Sequence, residues 1–204
     1  MSRNLDADAV LDLLRQTGTL QEGHFRLTSG RHSDRFFLMP HTFQYPEATE
    51  RLCAGLAALF AADEVETVAG PATGGIILAY EVARQLGRLT GGHVRAVFTE
   101  KTEDGGMALK RQWSLRPGER VLMVEDAVTT GGSVSKAIAA LRPYGPTLVG
   151  VGCIVDRSGG QVDFGVPLRS LVRVDVASWA PEECPLCREG IPLVKPKDQV
   201  STRG

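Results

Sequence analysis

Val121-Leu122-Met123-Val124-Glu125-Asp126-Ala127-Val128-Thr129-Thr130-Gly131-Gly132-Ser133 is the stretch that decides how this 204-residue chain reads. Its first four residues form a short apolar run of the length and type of a buried strand in a parallel sheet. Glu125 and Asp126 follow where such a strand would end. Small residues rich in backbone and hydroxyl donors come next, and then Val134, Ile138 and Leu141 recur at helical spacing. The order predicted is strand, acid pair, glycine loop, helix. A glycine loop lets backbone N–H groups close around an anion, and the helix behind it turns a positive dipole end toward the same point. The carboxylates repel phosphate, so they serve another part of the ligand; vicinal hydroxyls, as on a ribose, suit them as acceptors. A sugar phosphate carries both groups. The loop is neither a Walker A motif, since no Gly-Lys-Ser/Thr ends it, nor a dinucleotide GxGxxG. An ordinary strand-to-helix turn with exposed acids is the structural alternative.

Working outward, the composition is that of a soluble globular domain: 43% hydrophobic, 23% charged, net charge −1. No basic field favours nucleic acid or anionic membrane, and no apolar run reaches spanning length. The N-terminus lacks the pattern of a secretory signal, so the cytoplasm is expected. Four cysteines, with Cys53 and Cys153 in apolar segments, suit a reducing compartment.

Upstream, Val65 to Ala69 predicts another strand, ending in Gly70-Pro71-Ala72-Thr73-Gly74-Gly75 before an apolar helix from Ile76 to Leu86. A glycine loop with Thr73 can wrap a diphosphate, although alone it equally suits close helix–sheet packing. Asp6 predicts an N-cap for a helix carrying Val10, Leu13 and Leu14, closed by Gly18. Pro46 suits the first turn of a helix running to about Ala62, with Leu52, Leu56, Leu59 and Phe60 inward. Between them, Phe25 and Leu27 alternate with polar residues, predicting two short strands around a Ser29-Gly30 turn.

A strand is expected at Val94 to Phe98. The polar segment Thr99-Glu100-Lys101-Thr102-Glu103-Asp104-Gly105-Gly106 and the partly alternating Met107 to Trp113 read as a solvated hairpin. Downstream, Leu148 to Val155 is an apolar strand ending in Asp156-Arg157. An Arg there can hold a carboxylate bidentately, or form a surface salt bridge. Leu171 to Val176 is read as the last strand. Cys184-Pro185-Leu186-Cys187 supplies half of a structural zinc site. No second pair or His pair stands nearby in the sequence, so free thiols are expected, with completion by two subunits or a redox pair as alternatives. Residues 197–204 are expected to fray.

Two of these stretches resemble a known family. Four apolar residues, two acids and then TTGGS closely resemble the phosphoribosyl-diphosphate (PRPP) signature of type I phosphoribosyltransferases. LTSGRHSDRFF, residues 27–37, resembles the N-terminal hood of orotate phosphoribosyltransferases, and the likeness extends from there through Arg157. It implies one α/β domain over residues 1–204, with a mainly parallel central sheet flanked by helices, a hood at about 18–40 and a CxxC tail at about 177–204. The implied reaction is orotate plus PRPP giving orotidine 5′-monophosphate and diphosphate. The implied cofactor is Mg²⁺, held mainly by substrate and water. Lys101, Glu125 and Asp126 are implied as catalytic. Glu125, Asp126, Ala127, Val128, Thr129, Thr130, Gly131, Gly132, Ser133, Thr73, Gly74 and Lys101 are implied to bind PRPP. Thr129, Arg157 and Phe37 are implied to bind orotate. A homodimer sharing its mobile loop at residues 99–106 is implied as well. The chain departs from the family in three places. Thr28 stands for the usual hood Lys, Glu100 for the Arg before Lys101, and the later loop Lys and His are missing, with Lys110 and Arg111 nearby. The rival readings are a transferase for a purine or uracil, and a non-catalytic PRPP-sensing regulator; the lack of an added DNA-binding domain argues against the latter.

Overall fold

Short apolar strands with glycine-rich exits, alternating with amphipathic helices, build a doubly covered sheet. The computed structural model describes residues 5–27 and 29–195. Thr28 and the tail expected to fray lie outside the described residues. In chain order the elements are α1 (Ala7–Gln16), β1 (Leu20–Arg26), β2 (His32–Phe37), α2 (Pro40–Phe43), α3 (Pro46–Ala58), β3 (Thr67–Pro71), α4 (Gly74–Thr90), β4 (Arg95–Lys101), β5 (Met107–Leu109), β6 (Arg120–Val128), α5 (Gly132–Leu141), β7 (Thr147–Asp156), β8 (Leu168–Arg173), β9 (Ser178–Trp179) and α6 (Pro185–Arg188). Six strands form one sheet in the order β5-β4-β3-β6-β7-β8. All neighbours are parallel except the β4–β5 pair.

Alternation along the central strands explains the two layers. Val68, Leu122, Val124 and Ile154 face α1, α3 and α4, where they meet Leu14, Leu52, Leu56, Leu78 and Leu86. Ala69, Val121, Met123 and Cys153 face the other way, toward Val134, Ala137 and Leu141 of α5. Burying each large side chain contributes about 1.5–3 kcal/mol. Asp6 caps α1, its carboxylate accepting from the Ala9 amide at 2.8 Å, as its position predicts.

β1 and β2 form the expected antiparallel pair around residues 29–30. Four expectations need correction. The helix from Pro46 ends at Ala58, not near Ala62. Its last amides bond three residues back (Leu59 to Leu56, Phe60 to Ala57), and this tighter turn leaves Leu59 39% exposed while Phe60 is fully buried. β6 does not stop before the acids. It runs through Glu125 and Asp126 to Val128 because β7 continues to pair with it, as far as Val128 opposite Asp156. The strand expected at Leu171 to Val176 spans Leu168–Arg173 and is not the last, since β9 follows and pairs with β2 in the three-stranded hood sheet. Finally, a His pair does lie near the CxxC: β1 and β2 bring His24 and His32 beside Cys184 and Cys187.

Candidate active site

The site is opened by a divergence in the sheet. β3 and β6 pair only as far as Ala69 opposite Met123. Their outer neighbours pair further, β3 with β4 to Pro71 opposite Thr99 and β6 with β7 to Val128 opposite Asp156. Beyond Met123 the two central strands therefore separate at their carboxyl ends. The chain leaves β3 toward β4 on one side and β6 toward β7 on the other, so this crevice is the topological switch point where parallel sheets bind ligands.

Glu125 and Asp126 stand on the β6 side of the crevice. Burial pushes the Glu125 carboxyl up to about 8, helped by the neighbouring Asp126 carboxylate, and burial also raises Asp126. Across from them is the 70–75 loop. A Cβ on Gly74 would lie 2.6 Å from Asp126 Oδ2, and a Cβ on Gly70 would run into the Gly75 carbonyl. Glycine at 74 is thus required by the close approach of this loop to β6, and glycine at 70 by the tight closure of the loop on itself. The Ala72–Thr73 peptide is cis.

Past Val128, residues Thr129, Thr130, Gly131, Gly132 and Ser133 line a cleft of about 230 Å³ together with Glu125, Ala127, Val128 and Val134. Gly131 adopts φ 72° to start α5, a conformation that glycine alone adopts freely. Its carbonyl receives the first helical bond, from the Ser135 amide at 2.9 Å. The amides before Ser135 have no partner within the helix, the arrangement by which a helix N-terminus can take up an anion.

Arg157 follows β7 and is tied to this loop, its amide donating to the Val128 carbonyl at 2.8 Å. The salt bridge that its position could have made is made by its neighbour instead. Asp156 is buried and accepts from Arg173 Nε at 3.0 Å and from the Ser158 amide and hydroxyl at 2.9 and 2.6 Å. Burial alone would raise Asp156; these bonds outweigh it and hold the carboxyl below its ordinary value. Arg157 Nε is buried with no hydrogen-bond partner among the described residues, and burial lowers its pKa. The guanidinium lies over the Phe37 ring of the hood, 5.1 Å from the centroid. A desolvated, unpaired guanidinium on an aromatic face is a receptor for a planar anion.

Residues 44–179 match the family model of the phosphoribosyl transferase domain. The chain is 51% identical, over 93% of its length and 96% of the relative's, to an orotate phosphoribosyltransferase of Pelotomaculum thermopropionicum. The chain belongs to the orotate phosphoribosyltransferase family. Its fold is that of the type I phosphoribosyltransferases. The crystal structure of the Aeropyrum pernix orotate phosphoribosyltransferase superposes with a TM-score of 0.66 at 24% identity, covering 81% of this chain and 93% of that one. A Mycobacterium tuberculosis orotate phosphoribosyltransferase in complex with PRPP superposes at 0.57 with 25% identity, covering 68% and 80%.

Against this family background, the structure brings Thr73, Gly74, Glu125, Asp126 and residues 127–133 to one crevice, and sets Arg157 and Phe37 at its edge. Lys101 ends β4 at the same carboxyl edge of the sheet, but among the described residues its ammonium makes no hydrogen bond or ion pair. The neighbouring cations are engaged. Arg111 forms a two-point bond to Glu100 at 3.0 and 3.1 Å, and Lys110 Nζ donates to the Lys101 carbonyl at 3.1 Å. Residues 102–106 form a hairpin turn that leans on α5, where Lys136 Nζ donates to the Gly105 carbonyl at 2.7 Å. Sequence reasoning missed the Asp156–Arg173 pair that frees Arg157; the adjacent Asp156 was the available signal.

Proposed function

We infer that this chain transfers the 5-phosphoribosyl group of PRPP to orotate, giving orotidine 5′-monophosphate and diphosphate in pyrimidine synthesis. The observation that carries the reading is the Arg157 guanidinium beside Phe37, its Nε buried and unpaired among the described residues, set at the end of a glycine-loop cleft. Orotate is the planar pyrimidine that brings a carboxylate to such a receptor; uracil and the common purines do not. The 5′-phosphate sits on the amides and hydroxyls of residues 129–133. Glu125 and Asp126 accept from the ribose hydroxyls, and their charge favours the cation-like ring that forms as the anomeric C–O bond breaks. The orotate ring nitrogen bonds to that carbon as the C–O bond to diphosphate breaks, its proton passing to water or to the departing diphosphate, so no covalent nucleophile is needed. Thr73 and Gly74 cradle the diphosphate, Lys101 meets its developing charge, and Thr129 borders the base.

The proposed cofactor is Mg²⁺, carried by substrate oxygens and water. The crevice offers it hard oxygens, the carboxylates of Glu125 and Asp126 among them, a donor type that suits this ion. When bound, it neutralises the leaving diphosphate. We also propose a single domain over residues 1–204, working in the cytoplasm on small molecules. The charge of −1 argues against a nucleic-acid partner. Among the described residues no helix is long and apolar enough to cross a membrane.

The working form proposed is a homodimer. Ile77 and Tyr80 on α4 are 44% and 68% exposed, and with Phe43, Pro46 and Ile76 they line an apolar groove of about 400 Å³. The groove begins one turn beyond Gly74, so a second copy seated there stands next to the crevice and can reach it with its own 99–106 loop.

The test is an assay of purified protein with PRPP, Mg²⁺ and a panel of bases. Orotate consumption requiring both PRPP and the divalent ion is expected. Turnover of uracil or hypoxanthine without orotate would overturn the base assignment, and tight PRPP binding with no turnover would favour a regulator.

A further inference from the structure

The Cys184–Cys187 pair has no place in the transfer reaction, yet the fold gives it a specific setting. His24 on β1 and His32 on β2 lie on the same face of the hood hairpin. His32 stands opposite Arg26, two residues from His24, so the two rings are diagonal neighbours. β9 then runs along β2, and α6 delivers the two cysteines onto that face. His24 Nε2 lies 3.0 Å from His32 Nδ1 and 3.4 and 3.7 Å from the Sγ atoms of Cys184 and Cys187, while Cys187 Sγ is 3.3 Å from His32 Nδ1. All four donor atoms lie within 4.8 Å of one another.

We propose that His24, His32, Cys184 and Cys187 bind one structural zinc ion that fastens the C-terminal segment to the hood. Zinc bound by two thiolates and two imidazoles at about 2.3 and 2.0–2.1 Å makes a tetrahedron with edges of roughly 3.3–3.8 Å. Four of the separations, 3.0–3.7 Å, lie within a few tenths of an ångström of those edges, and the others, within 4.8 Å, close to an edge by side-chain movement of up to about 1 Å. The donor set is soft and borderline, which selects zinc over magnesium or calcium. Its charge balances, since two thiolates neutralise the dication. Four protein ligands close the shell, the mark of a structural rather than a catalytic ion.

The surroundings fix the donors. His24 Nδ1 lies 2.8 Å from the Ile191 carbonyl, which can only accept, so Nδ1 carries the proton and Nε2 turns its lone pair to the cluster. Cys184, His24 and His32 are at most 5% exposed, so three of the four donors are withdrawn from water with no other task. The same tail is already laced to β1: the Val194 amide donates to the His24 carbonyl and the Arg26 amide to the Val194 carbonyl, both at 2.8 Å. An ion here would lock β1, β2 and α6 into one unit at the root of the hood that carries Phe37.

The experiment is metal analysis of the full chain, purified without chelators under reducing conditions. One zinc per chain is expected, retained through dialysis and lost in both Cys187→Ser and His32→Gln. Stripping the wild-type chain and adding Co²⁺ is expected to give tetrahedral ligand-field bands together with thiolate-to-metal charge transfer, and to restore a melting temperature lowered by stripping. A wild-type chain that is metal-free as purified and takes up no Zn²⁺ or Co²⁺ with its thiols reduced would overturn the proposal. So would Co²⁺ binding that persists in both variants, or that lacks the thiolate band. None of these readouts depends on which base the enzyme uses.

Discussion

Arg157 and Glu125 are both half-buried ionisable groups that the fold leaves incompletely paired among the described residues, and each carries a prediction. A guanidinium with a desolvated, unbonded Nε is costly in the free protein, and that cost is relieved when a carboxylate arrives. Arg157→Ala is therefore expected to raise the KM for orotate roughly ten- to a hundredfold, from the 1.5–3 kcal/mol of a charged hydrogen bond, with far less effect on the KM for PRPP. An equal loss on both substrates in steady-state kinetics would make Arg157 structural. Glu125 has its pKa raised from 4.5 to about 8 by burial first and Asp126 second. A carboxyl raised on folding gives stability that is complete below about pH 4.5 and is lost as pH climbs toward 8. Hydroxyls of a bound ribose donate to the carboxylate and so favour the ionised form. At pH 7, PRPP binding should therefore expel a proton from Glu125. Calorimetric titration in buffers of differing ionisation enthalpy should find more protons released by the wild type than by Glu125→Gln. Equal proton release by the two proteins would mean that Glu125 keeps one protonation state through PRPP binding, against this expectation.

At the scale of elements, the two ends of the sheet have separate tasks. The amino end is held by Glu119, whose carboxylate is fully buried and accepts from the Arg116 amide at 2.8 Å, Arg95 at 3.0 Å and the Thr67 hydroxyl at 2.5 Å. These partners start β3 and β4 and precede β6, so one side chain sets the register of three strands. Glu119→Ala leaves the Thr67 hydroxyl and the Arg116 amide without their acceptor, and is expected to cost about 1–3 kcal/mol of stability in denaturant unfolding. The KM values should be unchanged, because the substituted end lies across the sheet from the crevice. Which elements were legible follows the same division. The strand–glycine loop–helix units at 121–141 and 67–90 announced themselves because apolar runs and turn glycines are local signals. The extent of β6 did not, because its last residues are held in the sheet by β7, a contact 28 residues away in the Val128–Asp156 register. The Glu119 network and the His24–Cys184 juxtaposition are equally non-local. Nothing in a linear spacing places a histidine at 24 beside a cysteine at 184. At the site, the meeting of the two glycine loops at strand ends was legible, but the freedom of Arg157 was not, since it depends on Arg173 taking Asp156.

At the scale of the whole molecule, the crevice is supplied with acids and backbone amides but with little free positive charge of its own. Arg111 is bound to Glu100, and Lys110 to a carbonyl, so among the loop cations Lys101 alone has an uncommitted ammonium among the described residues. It ends β4 beside a hairpin that rests on α5 of its own chain, while the exposed Ile77–Tyr80 groove offers a seat for a second copy next to the crevice. The proposed dimer, in which each crevice receives the partner's 99–106 loop, requires this hairpin to give up its Lys136 bond as it crosses to the partner. Lys101→Ala should lower kcat with little change in PRPP affinity, because the charge it meets develops only as the bond to diphosphate breaks. Asp126→Asn should be inactive through its own crevice. When the two inactive proteins are mixed and allowed to exchange subunits, a mixed dimer holds one site that combines the intact loop of the Asp126→Asn chain with the intact crevice of the Lys101→Ala chain. Activity is then expected to rise above either parent, toward about a quarter of the wild type at full random exchange, since half the dimers are mixed and each has one working site of two. No recovery, with exchange established by native mass spectrometry of differently tagged chains, would place the loop over its own crevice. Undiminished activity of Lys101→Ala alone would instead move the role to Lys110 or Arg111, whose present partners would then have to be given up when PRPP binds.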